Sequence, residues 1–183
     1  MSGNIELGQL TLRPASPKLA EELAEYYRRN SDFLRAFEPE RTTEFFTAEH
    51  QRGLLTDEAE KAVKKEAFRF YISQTESPER IIGSIGLNNI VWGCFYSCFL
   101  GYKLDKDELN RGYMTKAVNK VVEFAFSELG LHRVEANVMP RNGASLRVLQ
   151  KCGFTEEGYA KKYLKINGVW EDHIHMVRLN DAL

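Results

Sequence analysis

Residues 110–117 read Asn-Arg-Gly-Tyr-Met-Thr-Lys-Ala, and they join an alternating run, Ser97–Leu104, to a helix-periodic run that begins near Thr115. A glycine at a strand-to-helix junction constrains a chain in two ways. It lets the backbone come close to a ligand, and it leaves the first N–H groups of the helix facing outward. Those amides and the positive end of the helix macrodipole make a site for an anion, most commonly a phosphate. One such glycine alone is more often an ordinary turn, so the rest of the chain has to decide.

The flanking patterns are those of a mixed chain. Residues 9–14 alternate, with Leu10 and Leu12 on one face, and predict a first strand. Ser16 then caps a helix opened by Pro17, whose apolar face carries Leu19, Leu23, Tyr26 and Tyr27. Residues 33–40 read as a turn and connector. A charge-rich helix follows over 48–65, with Leu54, Leu55, Ala59, Ala62 and Val63 as its apolar members and the rest a solvated face. Phe68–Gln74 alternates, with Phe68, Phe70 and Ile72 against Arg69, Tyr71 and Ser73. A turn at Ser77-Pro78-Glu79-Arg80 makes it a hairpin with a strand over 81–90. An aromatic connector, 91–96, leads to Ser97–Leu104, which sets Cys98, Leu100, Tyr102 and Leu104 on one face.

The helix expected over 115–129 has Val118, Val121, Val122, Ala125 and Leu129 at helical spacing and stops at Gly130. Arg133–Val138 is a short strand that sets Glu135 and Asn137 opposite Val134, Ala136 and Val138, and Pro140 ends it. Asn142 suits the N-cap of a helix running to Lys151 and closed by Gly153. Thr155–Ile166 and Val169–Leu179 are strands, and Asn167-Gly168 between them is the strongest hairpin signal in the chain. With no repeat or linker, residues 1–183 read as a single α+β domain with a mixed sheet.

Bulk properties exclude several classes. A formal net charge of −1 gives no reason to expect nonspecific attraction to nucleic acid. The apolar runs are too short for a membrane span, and the polar start Met1-Ser2-Gly3-Asn4 lacks a signal-peptide core. Cys94, Cys98 and Cys152 cannot all pair, and their spacing fits no zinc pattern, so reduced thiols and a cytoplasmic protein are expected.

This order of elements resembles the GNAT superfamily of acyl-coenzyme A-dependent N-acyltransferases. Leu131-His132-Arg133-Val134-Glu135-Ala136-Asn137-Val138-Met139-Pro140-Arg141-Asn142 leads to Ala144-Ser145, Gly153-Phe154 and Glu157-Gly158, and then to Asn167-Gly168-Val169-Trp170-Glu171-Asp172-His173. That succession is similar to the ribosomal-protein-alanine N-acetyltransferases of the RimJ/RimL type. The resemblance is dense from Ile81 to His173 and sparse before it, apart from Leu10-Thr11-Leu12-Arg13. It implies a mostly antiparallel sheet of about seven strands flanked by about four helices. Two features depart from the superfamily pattern: the phosphate-turn positions are Leu109, Gly112 and Met114, and the frequent catalytic tyrosine falls at Leu149.

The resemblance implies acetyl transfer from acetyl-coenzyme A to an amine, without a metal. Backbone amides of Arg111, Gly112, Tyr113, Met114 and Thr115 are placed to cradle a pyrophosphate. By resemblance, the main chain of Tyr102, Lys103 and Leu104 pairs with the pantetheine arm and supplies the oxyanion donor. Asn142 is expected to serve as helix cap and pantetheine contact, with cap only as the alternative; Arg147 and Lys151 either approach phosphates or form a solvated helix face. By resemblance again, Ser145 protonates the departing thiolate; its alternative is a capping hydroxyl.

The base depends on the acceptor. At pH 7 a chain-terminal amine (pKa about 7.7–8.0) is roughly a tenth neutral, whereas a lysine (pKa about 10.4) is neutral in fewer than about one molecule per thousand. A terminal amine therefore needs little help, and a water-relayed carboxylate suffices. Glu135 leads, with Glu38 and Asp172 behind it; ion pairing of Glu135 to Arg133 or His132 is the competing role. His132 and His173 read as structural or surface histidines. Phe37, Glu38, Trp92, Phe95 and Tyr96 are candidates for the acceptor side. The acceptor is thus a protein N-terminus, such as that of a ribosomal protein, or a small amine. A homodimer and a catalytically silent acyl-coenzyme A-binding module are left open.

Overall fold

The computed structural model describes residues 3–182. Its alternating runs form one eight-stranded sheet. In chain order the strands are β1 (Ile5–Leu7), β2 (Leu10–Pro14), β3 (Phe68–Gln74), β4 (Ser77–Val91), β5 (Ser97–Leu104), β6 (Arg133–Val138), β7 (Thr155–Ile166) and β8 (Val169–Leu179). The helices are α1 (Ala20–Leu34), α2 (Ala48–Val63), α3 (Tyr113–Ser127) and α4 (Gly143–Lys151). No helix among the described residues is long and apolar enough to cross a membrane.

The strands lie in the order β1-β2-β3-β4-β5-β6-β8-β7. Every neighbouring pair is antiparallel except β5–β6, which is parallel because α3 carries the chain across between them. That parallel pair is short. It joins Ser97 to Arg133, Cys98 to Val134 and Phe99 to Glu135, and then the two strands part. β5 stays paired to β4 as far as Leu104, and β6 stays paired to β8 as far as Val138. A gap therefore opens in the middle of the sheet, between residues 100–104 of β5 and 136–138 of β6.

Each sheet face has its own core. Leu12, Phe70, Ile72, Ile85 and Leu87 pack with Val118, Val121, Val122 and Ala125 of α3 and Leu149 of α4. Phe124 of α3 meets Phe68 and Phe70 edge-on, at 5.2 and 5.9 Å between ring centres. Across the sheet, Leu19, Leu23 and Tyr26 pack with Leu55 of α2, Tyr71 and Ile81. The alternation within β3 thus feeds both cores. Each fully buried aliphatic side chain contributes about 1.5–3 kcal/mol, so α3 is the best-anchored helix.

The structure departs from the sequence reading at several places, one of them the helix expected to open at Pro17, which begins as a single 3-10 turn over Pro17–Leu19 before α1. An eighth strand, β1, is only three residues long, too short for its alternation to be legible. The β3–β4 turn lies at 75–76, and Ser77 already pairs with Gln74. Pro78, Glu79 and Arg80 belong to β4 but have no partner on β3, so the missing proline N–H breaks no ladder bond. α3 starts at Tyr113, two residues earlier than expected, because Gly112 enters it directly in the left-handed region, at φ +75°. In α2 only Leu55 of the expected apolar set is fully buried, and Leu54 and Val63 face outward. That helix is held by polar contacts as well: the Tyr71 hydroxyl donates to Glu58 at 2.6 Å.

Candidate active site

The loop from β5 to α3 hangs on two buried carboxylates. Asp105 accepts hydrogen bonds from Arg29 Nε at 2.8 Å and from the Asp107 amide at 3.1 Å, and Arg80 lies 3.4 Å away. Burial alone would raise its carboxyl, but the Asp107 amide and Arg29 together hold it below the usual carboxylate range. Glu108 pairs with Arg80 at 3.3 Å and Arg111 at 3.1 Å, and accepts from Gln74 Nε2 at 3.2 Å. These contacts deliver the chain to Gly112 in a defined position. The Arg111 guanidinium is engaged by Glu108 and the Asp107 carbonyl, so its amide is what it offers an anion. Tyr113 and Met114 are buried and anchor the turn from below. No side chain caps α3, and a Cβ placed on Gly112 would meet nothing within 4 Å. The turn therefore presents open amides to open space, which suits an anion.

Beside the turn lies the gap between β5 and β6. The main chain of residues 100–104 has no strand on its β6 side, so an extended ligand could pair there as a strand would. Gly83 lets β4 close tightly on the other side of β5; a Cβ there would sit 2.6 Å from the Lys103 carbonyl oxygen. The Asn142 side chain caps α4 by accepting from the Ser145 amide at 3.2 Å. Ser145 then meets Tyr102 from β5, with 2.8 Å between their hydroxyl oxygens. Arg147 folds back along the first turn of α4, its Nη1 3.4 Å from where a Gly143 Cβ would lie. An uncapped helix start, an unpaired strand edge and a hydroxyl pair thus lie around one gap.

Residues 9–155 match the family described as Acetyltransferase (GNAT) domain. The chain belongs to the GNAT acetyltransferase family. It is similar to the Probable N-acetyltransferase YjcK of Bacillus subtilis (strain 168), at 46% identity over 169 residues, covering 92% of this chain and 93% of that protein. It superposes on the ribosomal-protein-S5-alanine acetyltransferase of Vibrio fischeri with a TM-score of 0.94 and 36% identity, covering 98% of this chain and 97% of that one. RimJ of Mycobacterium smegmatis, solved in complex with CoA-disulfide, gives a TM-score of 0.89 at 25% identity, covering 99% and 88%. Acetyl transfer is the activity of this GNAT acetyltransferase, and its fold is the mixed α+β fold expected from the resemblance.

A GNAT acetyltransferase has to bring an amine to the thioester from somewhere, and here the two sheet faces differ. Val134, Ala136 and Val138 pack on the α3 and α4 side. By alternation Glu135 and Asn137 face the other way. Glu135 sits where β5 and β6 part, opposite Phe99. It accepts from Arg133 Nε at 2.8 Å, and Arg133 also grips Glu157 with both terminal nitrogens, at 3.0 and 2.5 Å. The ion-pair role weighed for Glu135 is therefore present.

Lys103 alternates with Tyr102 and so lies on the Glu135 side. It is ion-paired to Glu38 and donates to the Tyr27 hydroxyl at 3.3 Å. Asn137 donates to the Tyr163 hydroxyl at 3.2 Å, and the Tyr163 ring packs on His175 and His173. His173 is buried.

The structure sorts the remaining candidates. Phe37 and Glu38 stand near the open end of the gap, with Arg141 5.5 Å over the Phe37 ring. Trp92, Phe95 and Tyr96 lie beyond the closed end, about 20 Å along β5 from Tyr102 at ~3.3 Å per residue. They are exposed there, and Trp92 donates to the Lys65 carbonyl at 3.2 Å. Asp172 has both oxygens engaged, by the Tyr159 hydroxyl and the Lys162 amide, each at 2.7 Å. Those bonds hold its carboxyl below the usual range and brace a bulge at Lys162. Asn137, Tyr163, His175 and Arg141 were not expected at the site. The alternation around Glu135 did mark the face of Asn137, but nothing local linked it to Tyr163.

Proposed function

We propose that this enzyme transfers an acetyl group from acetyl-coenzyme A to the N-terminal α-amine of a protein, and that the acceptor is a ribosomal protein beginning with alanine. The observation that carries this reading is the convergence of the uncapped α3 turn, the unpaired edge of β5 and the Ser145 hydroxyl on one gap. The choice of acceptor is supported by the 36% identity, over nearly the whole chain, to the Vibrio fischeri S5-alanine acetyltransferase.

In this reading the amides of Arg111, Gly112, Tyr113, Met114 and Thr115 hold the diphosphate. The main chain of Tyr102, Lys103 and Leu104 holds the pantetheine arm and donates to the oxyanion as the tetrahedral intermediate forms. Asn142 and Arg147 steady the cofactor from α4. The acceptor arrives on the Glu135 face, where Glu38 and Glu135 attract its ammonium group. The ammonium first loses a proton to solvent; the neutral amine attacks, Glu135 takes the proton that the nitrogen then sheds, through water, and Ser145 gives one to the leaving sulfur. A terminal amine suits this site because about a tenth of it is already neutral at pH 7 and so asks little of a base. Residues 1–183 act as one domain, in the cytoplasm, where nascent ribosomal proteins and acetyl-coenzyme A occur together.

The experiment is thiol release from acetyl-coenzyme A with an Ala-starting peptide, with Ser145→Ala alongside. Expected is turnover by the native enzyme and a loss of about 10²-fold or more in kcat for the variant. Turnover with free small amines and not with the peptide would overturn the acceptor assignment. Tight cofactor binding with no turnover on any amine would overturn the catalytic reading.

A further inference from the structure

We infer that Tyr102 is a positioning residue for acetyl transfer: its phenol orients the Ser145 hydroxyl and hands it a proton as Ser145 protonates the leaving thiolate. This inference rests on the role of Ser145 proposed above. Tyr102 lies on β5 after that strand has left β6, on the face of Cys98 and Leu100, and it is half-buried. Its hydroxyl oxygen stands 2.8 Å from Ser145 Oγ and 3.2 Å from the Ser145 carbonyl oxygen, across 43 residues of chain. Asn142 holds the Ser145 amide, and the single Tyr102 hydrogen faces both the Ser145 carbonyl and Oγ.

The chemistry follows from hydrogen counts. Ser145 has one hydroxyl hydrogen and Tyr102 has one. A phenol oxygen shares its lone pair with the ring, so it donates better than it accepts. Burial also lifts this phenol above its ordinary pKa, so it keeps its proton at every working pH. When the Tyr102 hydrogen turns from the Ser145 carbonyl to Oγ, the Ser145 hydrogen is free to turn toward the gap. A bare alkoxide is costly away from bulk water and is a stronger base than a phenolate, so Ser145 alone is a poorer acid than the pair. In the relay, Ser145 Oγ–H breaks as S–H forms, and the Tyr102 proton passes to Oγ in the same event. Water then restores the phenol with the proton that the amine surrendered.

Tyr102→Phe keeps the ring and removes the hydroxyl. Expected are a fall in kcat of about tenfold or more and a KM for acetyl-coenzyme A within about twofold of native. Because the two hydroxyls act as a unit, Tyr102→Phe combined with Ser145→Ala loses no more than Ser145→Ala alone. A native kcat for Tyr102→Phe with a slow Ser145→Ala overturns the role of Tyr102 and leaves that of Ser145 standing. Losses that multiply in the double variant also overturn it, because the tyrosine then acts through packing. A native rate for Ser145→Ala removes the reading beneath it. Fluorotyrosine at position 102 keeps the shape and makes the phenol more acidic, which serves if loss of the hydroxyl prevents folding. A changed kcat then supports the relay, and an unchanged one overturns it.

Discussion

Asn167, at the tip of the β7–β8 hairpin, is hydrogen-bonded to Glu40, which lies 127 residues earlier: its Oδ1 accepts from the Glu40 amide at 2.6 Å. Its Nδ2 donates to the Arg35 carbonyl at 2.7 Å, and Arg141 reaches Glu171 at 2.8 Å while covering Phe37. The last hairpin therefore fastens the loop that carries Phe37 and Glu38. Asn167→Gly preserves the turn, since Asn167 sits at φ +49°. It removes both bonds, about 1–2 kcal/mol of local closure. Limited proteolysis is expected to cut residues 35–42 faster, with little change in the melting temperature. Unaltered cleavage there would show that the loop is held by something else.

Gly112→Ala tests the turn. The open space above Gly112 removes any steric objection, so the penalty is the left-handed backbone itself, about 1–2 kcal/mol. A shift of the first α3 amides should raise the KM for acetyl-coenzyme A several-fold. Calorimetry that shows native affinity for coenzyme A in a folded variant would place the diphosphate elsewhere.

Asp105 links the loop to acid stability. Its folded pKa is lowered, so its contribution is complete above its unfolded value, near ~3.9, and is lost as pH falls through the folded value. Asp105→Ala strands Arg29 and should destabilise the protein by about 3 kcal/mol at pH 7. In urea melts the difference between native and variant should shrink below about pH 3.9. A gap that widens in acid would reverse the sign argued here.

The three thiols should separate by environment. Burial pushes Cys98 up to about 12 and also raises Cys152, whereas Cys94 is exposed. At pH 8 the Cys98 thiolate is then about one part in 10⁴, so alkylation of the folded protein should modify Cys94 first. All three should react in denaturant. Rapid labelling of Cys152 in the folded protein, read by mass spectrometry, would show that the α4 end opens.

Much of this site was legible in one dimension. The bounds of Ser97–Leu104, Arg133–Val138 and both hairpin strands follow from alternation and from Asn167-Gly168, because side-chain period and turn chemistry act between near neighbours. Ser145 and Asn142 were singled out by resemblance and by cap chemistry, and the cap is formed. The short β1 escaped because three residues carry too little pattern. Ser77-Pro78 misled because proline marks turns more often than strands, and only the slipped register on β3 makes room for it.

The amino-acid order by itself determined most of the strands and helices, that a glycine junction precedes α3, and to which family the chain is similar. Periodicity, capping and φ preference are local, and local terms are readable without a fold. Tertiary structure alone decided that β5 and β6 part after Phe99 and that Tyr102 meets Ser145. Those contacts join segments that only the sheet order and the α3 crossover bring together, and no short-range preference encodes the distance between them.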